Sequence, residues 1–190
     1  MFSGVGCGMV LNGEIYTGTK GFAGEVAVDN YKDNALFSCK MGRDCFLKRW
    51  EMDLDIVSDT KALLAKSKTA AERFYELTGT SHVSLDLKSI FSAAKAKHEI
   101  AASVIKSAAE RLGIKIAYLV NLLNPQIVII GGGFEEAGED FLNKVNDTVK
   151  KWAFAQATED LKISFSRLRE NAVALGAASL IMKEVFAHLL

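Results

Sequence analysis

The sequence is poor in the residues that mark several common protein classes. Its three cysteines, Cys7, Cys39 and Cys45, are odd in number and sparse, which argues against a disulfide framework. Neither charge dominates, with 23 Lys+Arg against 23 Asp+Glu. No basic run is long enough to follow a phosphate backbone, so no direct nucleic-acid contact by this chain is expected. No uninterrupted apolar run reaches the roughly 18 residues of a membrane span, and no charged leader precedes an apolar segment. A cytoplasmic protein without membrane contact is the expectation. The three histidines, His82, His98 and His188, are scattered without ligand spacing and read as surface or helix-end residues.

What is present is enough for one packed domain. With 190 residues, 49% of them hydrophobic, the chain supports a single core over residues 1–190 and no second full domain. It opens with "FSGVGCGMVLNGEIYTG", in which Asn12-Gly13 separates two short apolar runs. That dipeptide suits a hairpin turn needing positive φ at both central residues. Gly4, Gly6 and Gly8 alternate along the first strand and leave one of its faces bare, so a ligand or another backbone can approach. A domain seldom starts inside a hairpin, and an earlier lobe is expected to be missing. The following "GTKGFAGEVAV" places Gly18, Gly21 and Gly24 before one carboxylate, Glu25. Such a loop either bends sharply at the surface or lies against something.

The middle of the chain reads as helical. From about Asp59 to Leu77, Leu63, Ala70, Phe74 and Leu77 share one face, with the small Ser67 between the first two, and Gly79 suits a C-cap. A short helix is expected from Asp86 to Lys95, with Ser84 as its cap. A long one follows from about His98 to Leu123, with Ala101, Ile105, Ala108, Leu112 and Ile116 on one side. It must stop near Asn124, because Pro125, the only proline, restricts the residue before it and cannot extend the ladder. Gly113 inside that helix is costly and points to a close packing contact.

In "NPQIVIIGGGFEEAGEDFLNKV", Ile127 to Ile130 read as a fully buried strand, Gly131 to Gly133 as a turn, and a helix starts near Glu135 or Glu136. A strand passing through glycines into a helix is similar to a nucleotide cradle. Glu135 and Glu136 already bring negative charge there, which disfavours a phosphate on the helix end and favours an adenosine or ribose contact. A last strand, Leu161 to Phe165, precedes a closing helix from Glu170 to about His188. Ala174, Gly176, Ala177 and Ala178 give that helix a thin face for close packing.

Taken in order, "SGVGCGMVLNGEIYTG", "GFAGEVAV", "LVNLLNPQIVIIGGG" and "LGAASLIM" resemble the C-terminal, larger lobe of the ROK family of repressors, open reading frames and sugar kinases. The resemblance runs from Phe2 to about Met182. It implies an α/β fold: a ribonuclease H-like, actin-like ATPase lobe with a mixed β-sheet and flanking helices. It also implies a sugar in the cleft between two lobes and, in kinases, ATP beside it. The N-terminal lobe, with its Asp-Gly-Gly-Thr phosphate loop and catalytic aspartate, is absent from this sequence, so no catalytic residue is expected here. By the same resemblance Glu25 is the sugar carboxylate, on the loop of Gly21 and Gly24. Ser3, Gly4 and Gly6, together with Gly131, Gly132 and Gly133, match the nucleotide side. Members commonly pair through this lobe, so a homo-oligomer such as a dimer is implied.

The departures are concentrated in residues 29–56. The family's histidine three residues after the glutamate is Val28 here, and "CKMGRDCFLKRWE" stands for its zinc segment. Cys39 and Cys45 are the metal candidates that remain. Met41 replaces a cysteine, the spacing is one residue short, and Leu47 replaces a second sugar glutamate. A thioether is a poor zinc ligand, so this loop reads as a degenerate zinc loop and no zinc is expected. Asp53 and Asp55 read as a solvated approach to a helix, Trp50 and Trp152 as core or rim aromatics, and Cys7 as a small strand residue without an activating base. Two functions follow from the resemblance. One is the sugar-sensing or oligomerisation lobe of a transcriptional regulator. The alternative is the larger lobe of a sugar kinase, which would use ATP together with the other lobe.

Overall fold

The computed structural model describes residues 6–24, 26 and 56–186. The expectations placed on Ser3, Gly4, Glu25, Val28, Cys39, Met41, Cys45, Leu47, Trp50, Asp53, Asp55 and His188 lie outside the described residues.

Two strands, β1 (Val10–Leu11) and β2 (Glu14–Ile15), form an antiparallel hairpin across Asn12-Gly13. Both turn residues have positive φ, as a type I′ turn requires. Four helices follow: α1 (Ile56–Leu64), α2 (Lys68–Thr78), α3 (Leu87–Lys95) and α4 (Glu99–Leu123). Then come β3 (Ile127–Ile130), α5 (Glu139–Trp152), α6 (Ala155–Thr158), β4 (Lys162–Phe165) and α7 (Ala172–Phe186). β3 and β4 run parallel, Val128 opposite Ile163, joined by the helical crossover that parallel strands need. The protein is α/β. Among the described residues its strands form two separate two-stranded sheets, and helices supply most of the core. None of these helices is long and apolar enough to cross a membrane.

α4 is the axis of the body, packing on α1, α3 and α5. Its stripe of Ala101, Ile105, Ala108, Leu112 and Ile116 is buried as the spacing predicts. Gly113 is where α5 comes closest. A Cβ there would lie 2.6 Å from the Thr148 Cβ and 3.0 Å from the Val145 carbonyl oxygen, closer than packed atoms tolerate. The helix stops as expected, with Asn124 in the left-handed region just before Pro125.

The single helix expected from Asp59 to Leu77 is two. Ser67, read as a small face residue, instead accepts from the Ala70 amide as the N-cap of α2. The break shifts the helical phase, so Leu64 and Phe74 are buried while Leu63 and Leu77 are exposed. Gly79 does cap α2 in the left-handed conformation. For α3 the cap is Asp86, not Ser84. Asp86 and Ser89 form a reciprocal capping box, whereas Ser84 bonds Ser81.

The Ser89 hydroxyl and amide hold the Asp86 carboxyl below its ordinary pKa. A lowered folded-state pKa means that the stability from this cap is complete above the usual aspartate range. It is lost as pH falls through the lowered value. Acid titration of thermal stability is therefore expected to cost the wild type more than Asp86→Ala below about pH 4, and parallel curves would contradict this.

Of the two expected readings, His98 is a helix-end residue and not a surface one. It is 2% exposed and caps α4: its Nδ1 accepts from the Ala101 amide, while Nε2 lies 2.9 Å from the Ala70 carbonyl oxygen. Those bonds assign the neutral ring with its hydrogen on Nε2. Its edge also meets Phe74, 5.3 Å between ring centres, so one side chain pins α2 to the start of α4. His82 is exposed, as expected.

β3 is not buried on both faces. Ile127 and Ile129 are 55% and 66% exposed, while Ile130 is 7%, because the described helices cover one face of the pair only. α7 buries none of its residues, and no atom lies within 4 Å of a Cβ built on Gly176. The close packing expected of its thin face is absent among the described residues.

Candidate functional site

The two N-terminal glycine segments meet. The hairpin ladder extends to a bond from the Tyr16 amide to the Met9 carbonyl. Continued, that register would set Cys7 opposite Gly18. Instead the chain loops out after Thr17, the Ala23 amide donates back to the Thr17 carbonyl at 3.0 Å, and Gly24 takes the place beside Cys7. The Cys7 amide donates to the Gly24 carbonyl, also at 3.0 Å. Gly24 has φ +92°, and a Cβ on it would lie 1.7 Å from the Cys7 carbonyl oxygen. No residue with a side chain fits there without displacing backbone. Among the described residues, nothing lies within 4 Å of a Cβ built on Gly6 or Gly21. Burial pushes the Cys7 thiol up from its ordinary pKa, and a raised pKa lowers the thiolate fraction.

The third glycine segment sits at the end of β3. Gly131 packs between Ser166, just past β4, and Glu135, with its built Cβ 3.6 Å from the Ser166 Cβ and 3.8 Å from a Glu135 oxygen. Among the described residues, nothing lies within 4 Å of a Cβ built on Gly132 or Gly133. The Gly133 amide donates to the Glu135 Oε2 at 2.9 Å, so this carboxylate takes an amide that a phosphate would otherwise use. The turn then forms a single 3-10 turn, Phe134–Glu136, and α5 begins only at Glu139, later than expected. Phe134 fixes this turn to the body through a run of rings, Phe91, Phe134, Phe141 and Phe165, with centres 5.9, 5.3 and 6.4 Å apart.

Among the described residues, no hydrogen bond or ion pair joins the turn at residues 131–133 to the Cys7–Gly24 contact. The hairpin is tied instead to α7, through the Glu14–Lys183 ion pair at 2.5 Å. A separate cavity of about 350 Å³ lies between α3, α4 and α5. Its Lys95, Lys106, Lys144, Asp140 and Asp147 mix both charge signs, which selects no ligand charge. Among the described residues no three His, Cys, Asp or Glu side chains are grouped to hold a metal. Trp152 is a rim aromatic, 44% exposed. Sequence reasoning missed the Cys7–Gly24 contact, whose only local signal is one more glycine in a glycine-rich loop.

Comparison with known proteins decides the family, since the ROK family profile matches residues 2–184. The chain belongs to the ROK family. Its relatives include both repressors and glucokinases. It is 28% identical over 186 residues to the xylose repressor of Caldicellulosiruptor bescii, covering 97% of this chain and 45% of the repressor. To the glucokinase of Halalkalibacterium halodurans it is 29% identical over 182 residues, covering 96% of this chain and 54% of that enzyme. The ROK chain thus spans about half the length of the curated relatives it matches. In fold it is similar to a ROK family glucokinase from Streptomyces griseus solved with glucose and AMPPNP. The TM-score is 0.74 at 23% identity, over 94% of this chain and 57% of that one.

Proposed function

We propose that this chain is the sugar-sensing or oligomerisation lobe of a ROK transcriptional regulator, a single ribonuclease H-like unit of the actin-like ATPase fold over residues 1–190. Glu25 is the principal sugar carboxylate, presented by the loop of Gly21 and Gly24. A carboxylate suits hydroxyl recognition because it accepts several charge-assisted bonds, about twice as strong as neutral ones. Ser3, Gly4 and Gly6, together with Gly131, Gly132 and Gly133, are assigned to the nucleotide side. The space beside Gly6, Gly132 and Gly133 among the described residues supports this assignment.

The observation that carries the regulator reading is the donor set of residues 28–47. The family's zinc does not fit it: Cys39 and Cys45 are two thiolates, while Val28 and Met41 stand where further ligands belong. Leu47 also removes a second sugar carboxylate. Such a loop serves weak, less selective sugar recognition better than sugar phosphorylation. The exposed apolar side chains of α7, among them Val173, Ile181 and Phe186, support association with a second copy or with the other half of a ROK protein. The relatedness to glucokinases keeps a second reading, the larger lobe of a sugar kinase, in which the other lobe supplies the base and both lobes position ATP.

The isolated chain is expected to release no ADP above background from ATP with glucose or xylose; sugar-dependent release would contradict this. In the complete protein, the regulator reading predicts that sugar changes operator binding without ADP release. Sugar-dependent ADP release there would establish the kinase reading instead.

A further inference from the structure

We infer that the peptide group of Cys7 is a positioning element, clasping Gly24 so that the loop of residues 18–24 and the glycine-rich strand open and close as one body. Three observations converge on it. The Cys7 amide and Gly24 carbonyl are bonded at 3.0 Å, and the second closure, Ala23 amide to Thr17 carbonyl, lies one residue away. Gly24 approaches the Cys7 carbonyl so closely that a Cβ would overlap it, at 1.7 Å, whereas Gly21 has φ +79° and nothing within 4 Å of its Cβ position. Both glycines need left-handed backbone, but only Gly24 needs the absence of a side chain for contact. Among the described residues the loop has no comparable anchor in the apolar core, since none of residues 18–24 is fully buried. Its position is therefore set by the strand it clasps.

Placement of the loop is then fixed from the Cys7 side. A change that moves the strand moves the loop, and the loop cannot rearrange alone without breaking the Cys7 bond. The inference deepens the proposed sugar site, and rests on that reading only for what the loop carries. The clasp itself is a property of the ligand-free chain.

Amide hydrogen exchange of the ligand-free 190-residue chain tests it. In the wild type the Cys7 and Ala23 amides are expected to be protected by at least about tenfold over the Gly8 amide and to share one opening equilibrium. Gly24→Ala should release both by the same factor and speed alkylation of the Cys7 thiol. Gly21→Ala, with the same backbone strain and no overlap, should leave the pair coupled and protected. Unprotected Cys7 in the wild type would overturn the inference, whether or not any variant folds. So would Cys7 and Ala23 opening independently, or the two glycine variants behaving alike. Failure to bind glucose would count against the sugar site and leave the clasp standing.

Discussion

Phe141→Ala is expected to destabilise the protein by about 3–5 kcal/mol, a large share of the about 5–15 kcal/mol that holds most domains folded. Phe141 is 2% exposed and stacks between Phe134 and Phe165. It joins α5 to β4 and to the turn that carries Gly132 and Gly133. Its removal leaves a cavity at the meeting point of three elements that the rigid rings around it cannot close. Denaturant unfolding followed by circular dichroism measures the loss. Phe141→Leu, which refills part of the space, should recover some of it. A loss below about 1 kcal/mol for the alanine variant would mean that the ring run does not hold the turn in place.

Gly113→Ala should destabilise by about 1–3 kcal/mol although it replaces glycine inside a helix. Helix propensity alone predicts the opposite sign, a gain of up to about 1 kcal/mol. Contact decides against propensity here, because the new methyl would meet the Thr148 Cβ at 2.6 Å and its Cγ2 at 2.9 Å. Neither can withdraw without moving α5. Adding Thr148→Ala removes the Cγ2 overlap but leaves the Cβ, so part of the cost should remain. A Gly113→Ala variant more stable than wild type in thermal unfolding would show that α4 and α5 separate readily.

Much of this architecture is legible in the sequence, and the exceptions have physical causes. The stripe of α4, the Pro125 stop, the Asn12-Gly13 turn and the Gly113 contact are all signalled by local pattern. The turn and the stop depend on backbone rules that act within a few residues, while the stripe and Gly113 are local marks of packing against other helices. Ser67 misleads because a small polar residue fits both a helix face and an N-cap, and only the chain's direction on either side distinguishes them. Ile127 and Ile129 mislead because an apolar run records hydrophobicity and not which neighbours exist to cover it. The capping and ring contacts of His98 reach back to Ala70 and Phe74 in another helix, beyond any local periodicity. In the candidate site the glycines at residues 6, 21, 24 and 131–133 are visible as a pattern. That Gly24 is seated on Cys7 emerges only when the loop closes.

Titration calorimetry of the complete protein with glucose and with xylose tests the central claim most directly, comparing Glu25→Gln with Glu14→Gln. Glu25→Gln keeps the shape of the side chain but removes the charge that strengthens its bonds to sugar hydroxyls. It is expected to weaken binding by about 1–3 kcal/mol, roughly 5- to 150-fold. Glu14 is spent on an exposed pair with Lys183, worth at most about 1 kcal/mol to stability, and its loss should leave sugar affinity unchanged. A fall in affinity for Glu25→Gln alone is the result predicted for a sugar-sensing ROK lobe. Equal behaviour of the two variants would contradict it and leave Glu25 a solvated loop residue.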